Sequence, residues 1–120
     1  MKQPIPQIKP ADVERVVRRD FPADEYATVM AILSEYGTEK RHQECTRVQL
    51  AALKLANGSV QKLRAWIREA KLDFRDVVGP AEYPAYNQRR VLLRDLPAEE
   101  KSRIVDSDWR QYLEWLKRPV

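Results

Sequence analysis

One cysteine, one histidine and three glycines are all that the 120 residues hold of the residue types on which much compact chemistry is built. A single cysteine closes no disulfide within the chain, and one cysteine with one histidine falls short of the four-ligand set of a structural zinc site. Gly37, Gly58 and Gly79 stand singly. Phosphate loops and dinucleotide-binding turns cluster glycines so that backbone can approach a phosphate, and neither fingerprint is present. No run approaches the roughly 18 apolar residues of a membrane span, and charged residues make up 33% of the chain and are spread along it. The N-terminal MKQPIPQIKP is charged but lacks the apolar stretch of about 7–15 residues of a secretory signal. These gaps lead to an expected cytoplasmic, reduced setting, with no metal, no cofactor and no membrane partner.

What the chain does have is helical periodicity. At this length it makes one domain. Pro4, Pro6 and Pro10 set residues 1–9 apart as an extended arm, leaving 10–120 as a single helical domain. Val13, Val16, Val17 and Phe21 share one helix face before Pro22. A second helix follows with Tyr26, Val29, Met30 and Leu33 inward, ending at Gly37. Thr38 is placed to cap a third helix running to about Asn57, with Cys45, Val48, Ala52, Leu55 and Ala56 on one face and Gly58 beyond it. Ser59 caps a fourth, in which Val60, Leu63, Ile67, Ala70, Phe74 and Val77 recur at spacings of three and four until Gly79-Pro80. A short turn between long helices makes them antiparallel neighbours. Residues 79–88 read as a loop; Val91, Leu92 and Leu93 suit a short helix, and Pro97, Glu99 and Glu100 start another through Val105. Asp106 or Ser107 caps a last helix carrying Trp109, Tyr112, Leu113 and Leu116. No alternation of period two is sustained. The expected fold is all-α, a compact bundle of about five or six helices built on a long central antiparallel hairpin.

Three segments, RVQLAALKLA (Arg47 to Ala56), AKLDFRDVVGPAEYP (Ala70 to Pro84) and IVDSDWRQYLEWL (Ile104 to Leu116), resemble parts of small bacterial all-helical proteins of unassigned function. The resemblance implies a bacterial origin and a shared helical fold, and it attaches no activity, ligand or catalytic residue.

Charge is unevenly distributed. From Lys40 to Arg75 nine basic residues face three acidic ones, a net of +6, whereas residues 1–39 carry −2 and residues 76–120 carry none. At about 100° per residue, Arg64, Arg68, Lys71 and Arg75 form a narrow stripe on the fourth helix, and Lys40, Arg47 and Lys54 do the same on the third. Such stripes could track phosphates. The plainer reading makes them solvated helix faces, or has Asp12, Glu14, Asp20, Asp24 and Glu25 neutralise them; a total of +4 is modest for a nucleic-acid binder, so this reading is preferred. A helix-turn-helix at LANGSVQKL is disfavoured because both helices are too long, with apolar faces suited to side-by-side packing.

His42 and Cys45 are spaced to touch on one helix face, the minimal arrangement for an activated thiolate, but nothing supplies an oxyanion hole. Cys45 reads as a small core residue and His42 as a helix-surface one. The acid pairs Glu99 with Glu100 and Asp106 with Asp108 fall where helix starts favour negative charge. Leu50, Ala65 and Leu72 lie off the apolar stripes; they contact a second layer, such as the helix of Trp109, Tyr112 and Trp115, or form an apolar contact patch. The expected function is that of a non-enzymatic protein-binding or adaptor module acting through a helical face, its partner another protein or a second copy. The alternative is nucleic-acid or polyanion binding through Lys40, Arg47, Lys54, Arg64, Arg68, Lys71 and Arg75. An enzyme ranks third.

Overall fold

Helix α1 (Pro10–Asp20) begins on a proline, whose missing N–H costs nothing in a first turn. The Lys9 N–H donates to the Asp12 carboxylate at 2.9 Å, so the acid both caps the helix and complements its dipole. Val13, Val16, Val17 and Phe21 are buried, as their spacing requires. The structure, a computed structural model, describes residues 8–39, 42, 44–87 and 96–119; residues 1–7 of the expected arm, Lys40 and the expected helix at Val91 to Leu93 lie outside them. Ala23–Glu25 forms one 3-10 turn that feeds α2 (Tyr26–Ser34), with Val29, Ile32 and Leu33 buried.

The third helix does not start at Thr38. It is α3 (Cys45–Ala56), and the reason lies in the preceding connection. Gly37 takes φ +113, and the His42 ring stacks on Tyr36 at 4.6 Å while its Nδ1 accepts the N–H groups of Gly37 at 2.9 Å and Glu39 at 3.3 Å. Those bonds fold the chain into a turn that competes with helix, and Glu44, left-handed at φ 55, completes the break. His42 is therefore a loop residue with an enclosed ring, not one on a helix surface.

Nor is α3 buried along a single stripe. Val48, Leu50, Ala51, Ala52, Leu53 and Ala56 are all enclosed, because α1, α4 and α5 pack on it from different sides. A helix apolar all round is a buried helix. Asn57 (φ 49) and Gly58 (φ 82) reverse the chain, and the Ser59 hydroxyl accepts the Lys62 N–H at 3.2 Å to start α4 (Val60–Leu72). A side chain at Gly58 would meet the Asp20 carbonyl at 3.1 Å, so this turn is tied to the end of α1.

The fourth helix stops at Leu72 instead of continuing to Gly79-Pro80. Asp73 is extended and its carboxylate accepts the Arg75 N–H at 3.0 Å, an Asx turn that opens α5 (Arg75–Glu82) on a new course. Pro80 lies inside α5, where it leaves only the carbonyl of the exposed Asp76 without its helical partner. The segment read as a loop is thus helical to Glu82 and again over residues 84–87. After Pro97 comes α6 (Ala98–Leu116), one helix of 19 residues where two were expected. Asp106 and Ser107 sit inside it. Asp108, 3% exposed, caps another element: its carboxylate accepts the N–H groups of Ala85 at 3.2 Å and Tyr86 at 2.9 Å.

The first and last helices are tied at the C-terminal end of α6. Arg15 donates to the carbonyls of Leu116 and Arg118, and Arg19 to those of Trp115 and Arg118, placing cations at the negative end of the helix dipole. Arg19 also lies 5.1 Å over the Trp115 ring. Among the described residues there are six α-helices of eight or more residues, a short helical segment at 84–87 and no strand, and the radius of gyration, 14.9 Å, is that of a compact chain of this length. No helix among them is long and apolar enough to cross a membrane.

Candidate functional site

The cations of the +6 segment separate once their surroundings are known. Arg47 grips Glu82 with two hydrogen bonds of 2.7 Å, from Nε and Nη2. Glu82 is 1% exposed, so this is a buried, bidentate ion pair within the fold. That hydrogen bonding raises the guanidinium above its ordinary value against the opposing effect of burial. Lys54, on the same helix, is half-buried; desolvation lowers its amine, and the charge of Arg118 adds to the effect. Arg75 lies beyond the break after Leu72, off the α4 stripe, and both its Nε and Nη2 bond Asp73, at 3.1 and 3.2 Å. The same contact holds the Asp73 carboxyl below the usual carboxylate range.

Lys62 apart, whose ammonium is exposed and makes no ion pair among the described residues, the cations that remain are Arg64, Arg68 and Lys71. Successive steps of four and three residues put them on one side of α4, where they line a concavity of about 110 Å3 with Ile67 and with Glu35 at the end of α2. Lys71 Nζ is 3.1 Å from Glu35 Oε1, an exposed pair. Arg64 and Arg68 are exposed and make no ion pair or hydrogen bond among the described residues. Packing of α2 against α4 fixes the two walls.

The apolar trio divides as well. Leu50 is fully buried, which removes it from any surface patch. Ala65 and Leu72 are exposed, Leu72 by 76%, and they flank Arg68 at three and four residues on the outer face of α4. The α6 aromatics do not cover Leu72. They turn inward as a chain of ring contacts from Tyr83 through Trp109 and Tyr112 to Trp115, spaced 5.1, 5.9 and 5.6 Å. Burial raises the Tyr112 phenol, and its hydroxyl has no hydrogen-bond partner among the described residues.

Among the described residues no ion pair joins Asp12, Glu14, Asp20, Asp24 or Glu25 to α4. Asp12 and Asp20 pair with Arg15 and Arg19 of their own helix, at 3.7 and 2.8 Å. Asp73 pairs with Arg75 within the segment, and the two acids that reach the central cations from outside it, Glu35 and Glu82, were missed. Glu82 had a signal, an acid four residues after Val78 on an apolar face, legible only if residues 79–82 are helical. Glu35 had none, because nothing local marks its approach to Lys71.

The His42 and Cys45 pair does not form a nucleophile and base. The Nδ1 lone pair of His42 is committed to two backbone N–H groups, its Nε2 faces Glu39 at 3.5 Å, and the half-buried Cys45 Sγ lies 3.9 Å from the His42 carbonyl. No group of three His, Cys, Asp or Glu side chains able to hold a metal occurs among the described residues. Two other concavities, each of about 310 Å3, hold cations already engaged: Arg18, 5.3 Å over the Tyr26 ring, and Arg75 on Asp73. Compared with models of protein families, with curated proteins and with solved structures, the chain matches none.

Proposed function

We propose that this protein is a non-enzymatic binding module that docks an acidic segment of a partner protein on α4. One observation carries the reading: Arg64 and Arg68 are left exposed and unpaired among the described residues while Arg47, Lys71 and Arg75 all have fold partners, and Leu72 stands bare beside Arg68. Cations bordering an apolar anchor match the make-up of a protein interface, in which arginine is enriched. The three-residue turn from Asn57 to Ser59 supports a finer architectural reading, in which α3 and α4 run antiparallel and the other helices complete a bundle that presents the outer face of α4. The free thiol of Cys45 is consistent with a reduced, cytoplasmic setting.

Nucleic-acid binding is the second reading, and the disposition of the cations weighs against it. Every phosphate contact steepens the salt dependence by nearly one power of the salt concentration. With Arg47 bound to the buried Glu82 and Lys54 half-buried, both described cations of the α3 stripe are withdrawn from following a backbone.

The test is a photoreactive residue in place of Leu72 in the intact chain, irradiated in the native cell. The expected product is one discrete protein adduct. An adduct of twice 14.1 kDa identifies a second copy as the partner, and a nuclease-sensitive adduct establishes the nucleic-acid reading in place of this one. No adduct at Leu72 overturns the proposal.

A further inference from the structure

We infer that the concavity lined by Glu35, Arg64, Arg68 and Lys71 is an anion subsite for a phosphoryl group carried by the docking partner, with the Glu35 carboxylate as a resident competitor. The inference rests on the docking reading and adds the chemistry of the anchor.

Its first support is an electrostatic arrangement that the fold does not need. Arg64 and Arg68 stand four residues apart on one helix face, where like charges repel. Among the described residues no acid bonds either of them, although each of the other arginines bonded in this region, Arg47 and Arg75, holds a carboxylate. A second support is the position of Glu35. It is the C-cap residue of α2, where the helix dipole disfavours a carboxylate, and its compensation is Lys71 at 3.1 Å. That pair is exposed on both sides, 35% for Lys71 and 51% for Glu35, so solvent screens it and an incoming anion can displace it.

Charge and shape then select the ligand. Three cations against one carboxylate leave an excess of two positive charges, the complement of a phosphoryl dianion rather than a single carboxylate. The concavity, about 110 Å3 with Ile67 beneath it, has room for a tetrahedral oxyanion. Guanidinium groups present N–H forks that match phosphate oxygens, and the Lys71 ammonium adds a point charge. Leu72, next to Lys71 and four residues past Arg68, offers an apolar contact to the chain bearing the phosphoryl group.

The experiment follows the arginine side-chain N–H resonances of the intact protein at about pH 7.5, where phosphate is largely dianionic. Inorganic phosphate is titrated against sodium chloride of matched ionic strength. Saturable shifts at Arg64 and Arg68 with phosphate alone are expected. Arg64→Gln and Arg68→Gln, at exposed positions that leave the amide spectrum native, each weaken phosphate binding about tenfold or more, while Arg75→Gln leaves it unchanged. Glu35→Gln strengthens it about threefold or more, the mark of a competitor removed. The subsite is overturned by the absence of saturation, by equal shifts with chloride, or by equal losses in Arg75→Gln. A phosphoserine peptide with a leucine nearby separates this inference from the docking reading. Tighter binding than phosphate, lost in Leu72→Glu, supports both. Phosphate binding with no gain for the peptide supports the subsite and overturns docking through Leu72. Adducts at position 72 with no binding of phosphate or peptide overturn the subsite and keep the docking reading.

Discussion

Replacing Arg47 with methionine removes the partner of a carboxylate that is 1% exposed and bonded through both oxygens at 2.7 Å. Breaking a buried pair from one side costs about 3–5 kcal/mol, because the remaining charge is left uncompensated. Arg47 is itself 32% exposed, so water can reach the vacated space, and the lower end, about 3 kcal/mol, applies. With a urea slope of roughly 1.5 kcal/mol/M for a domain of this size, the unfolding midpoint falls by about 2 M. Urea unfolding followed by far-UV circular dichroism measures this directly. The double variant Arg47→Met with Glu82→Leu recovers most of the loss, since an apolar pair of similar volume needs no solvation. A loss under about 1 kcal/mol in Arg47→Met, or a double variant as unstable as the single one, refutes the burial of Glu82 and with it the assignment of Arg47 to the fold.

Three further outcomes follow from the same packing. Tyr112→Phe removes a buried hydroxyl that has no partner among the described residues and stabilises the protein by about 1 kcal/mol; a loss of similar size in the unfolding midpoint contradicts the reading. Asp108→Ala frees the N–H groups of Ala85 and Tyr86, costs about 2 kcal/mol and speeds amide hydrogen exchange at those two residues; unchanged exchange there would show that the cap is not formed. Burial, reinforced by the Glu82 charge, holds the Tyr83 phenol up to about 12. Its contribution is therefore complete below the unfolded value of about 10 and fades as the pH rises towards 12, a loss on the order of 1 kcal/mol after allowing for partial exposure. Tyr83→Phe lacks this loss, and urea midpoints of the two proteins at about pH 8 and about pH 11.5 check it; equal falls in both rule it out.

The helical class and the inward faces were legible because they depend on local periodicity. Val13, Val16 and Val17 on α1 and Leu63, Ile67 and Ala70 on α4 are buried as their spacing required, and the Ser59 cap forms as read. What failed depended on side chains reaching across the fold. Thr38 cannot start α3, because the His42 ring takes the N–H groups that hold a turn there. Gly79-Pro80 does not stop a helix, because Asp73 has already ended one and begun another. Asp108, placed by pattern at a helix start, lies inside a longer helix and caps a segment more than 20 residues earlier in the chain.

The candidate site was half legible for the same reason. Helical spacing put Arg64, Arg68 and Lys71 on one face of α4, and they do line one concavity. It also put Arg75 in that stripe and Arg47 and Lys54 in a second one on the third helix, and burial or ion pairing engages them elsewhere. Charge counting along a chain cannot separate a cation held by a distant acid from one held by none.

The most direct test of the central claim is the yield of the position-72 photoadduct in two charge-reversed proteins, Arg64→Glu with Arg68→Glu, and Arg75→Glu. Both place negative charge at exposed arginines of the same +6 segment. Loss of the adduct in the first, with full yield in the second, is the outcome expected if the unpaired arginines of α4 receive an acidic partner. Equal yields in the two proteins, or loss only with Arg75→Glu, would contradict it.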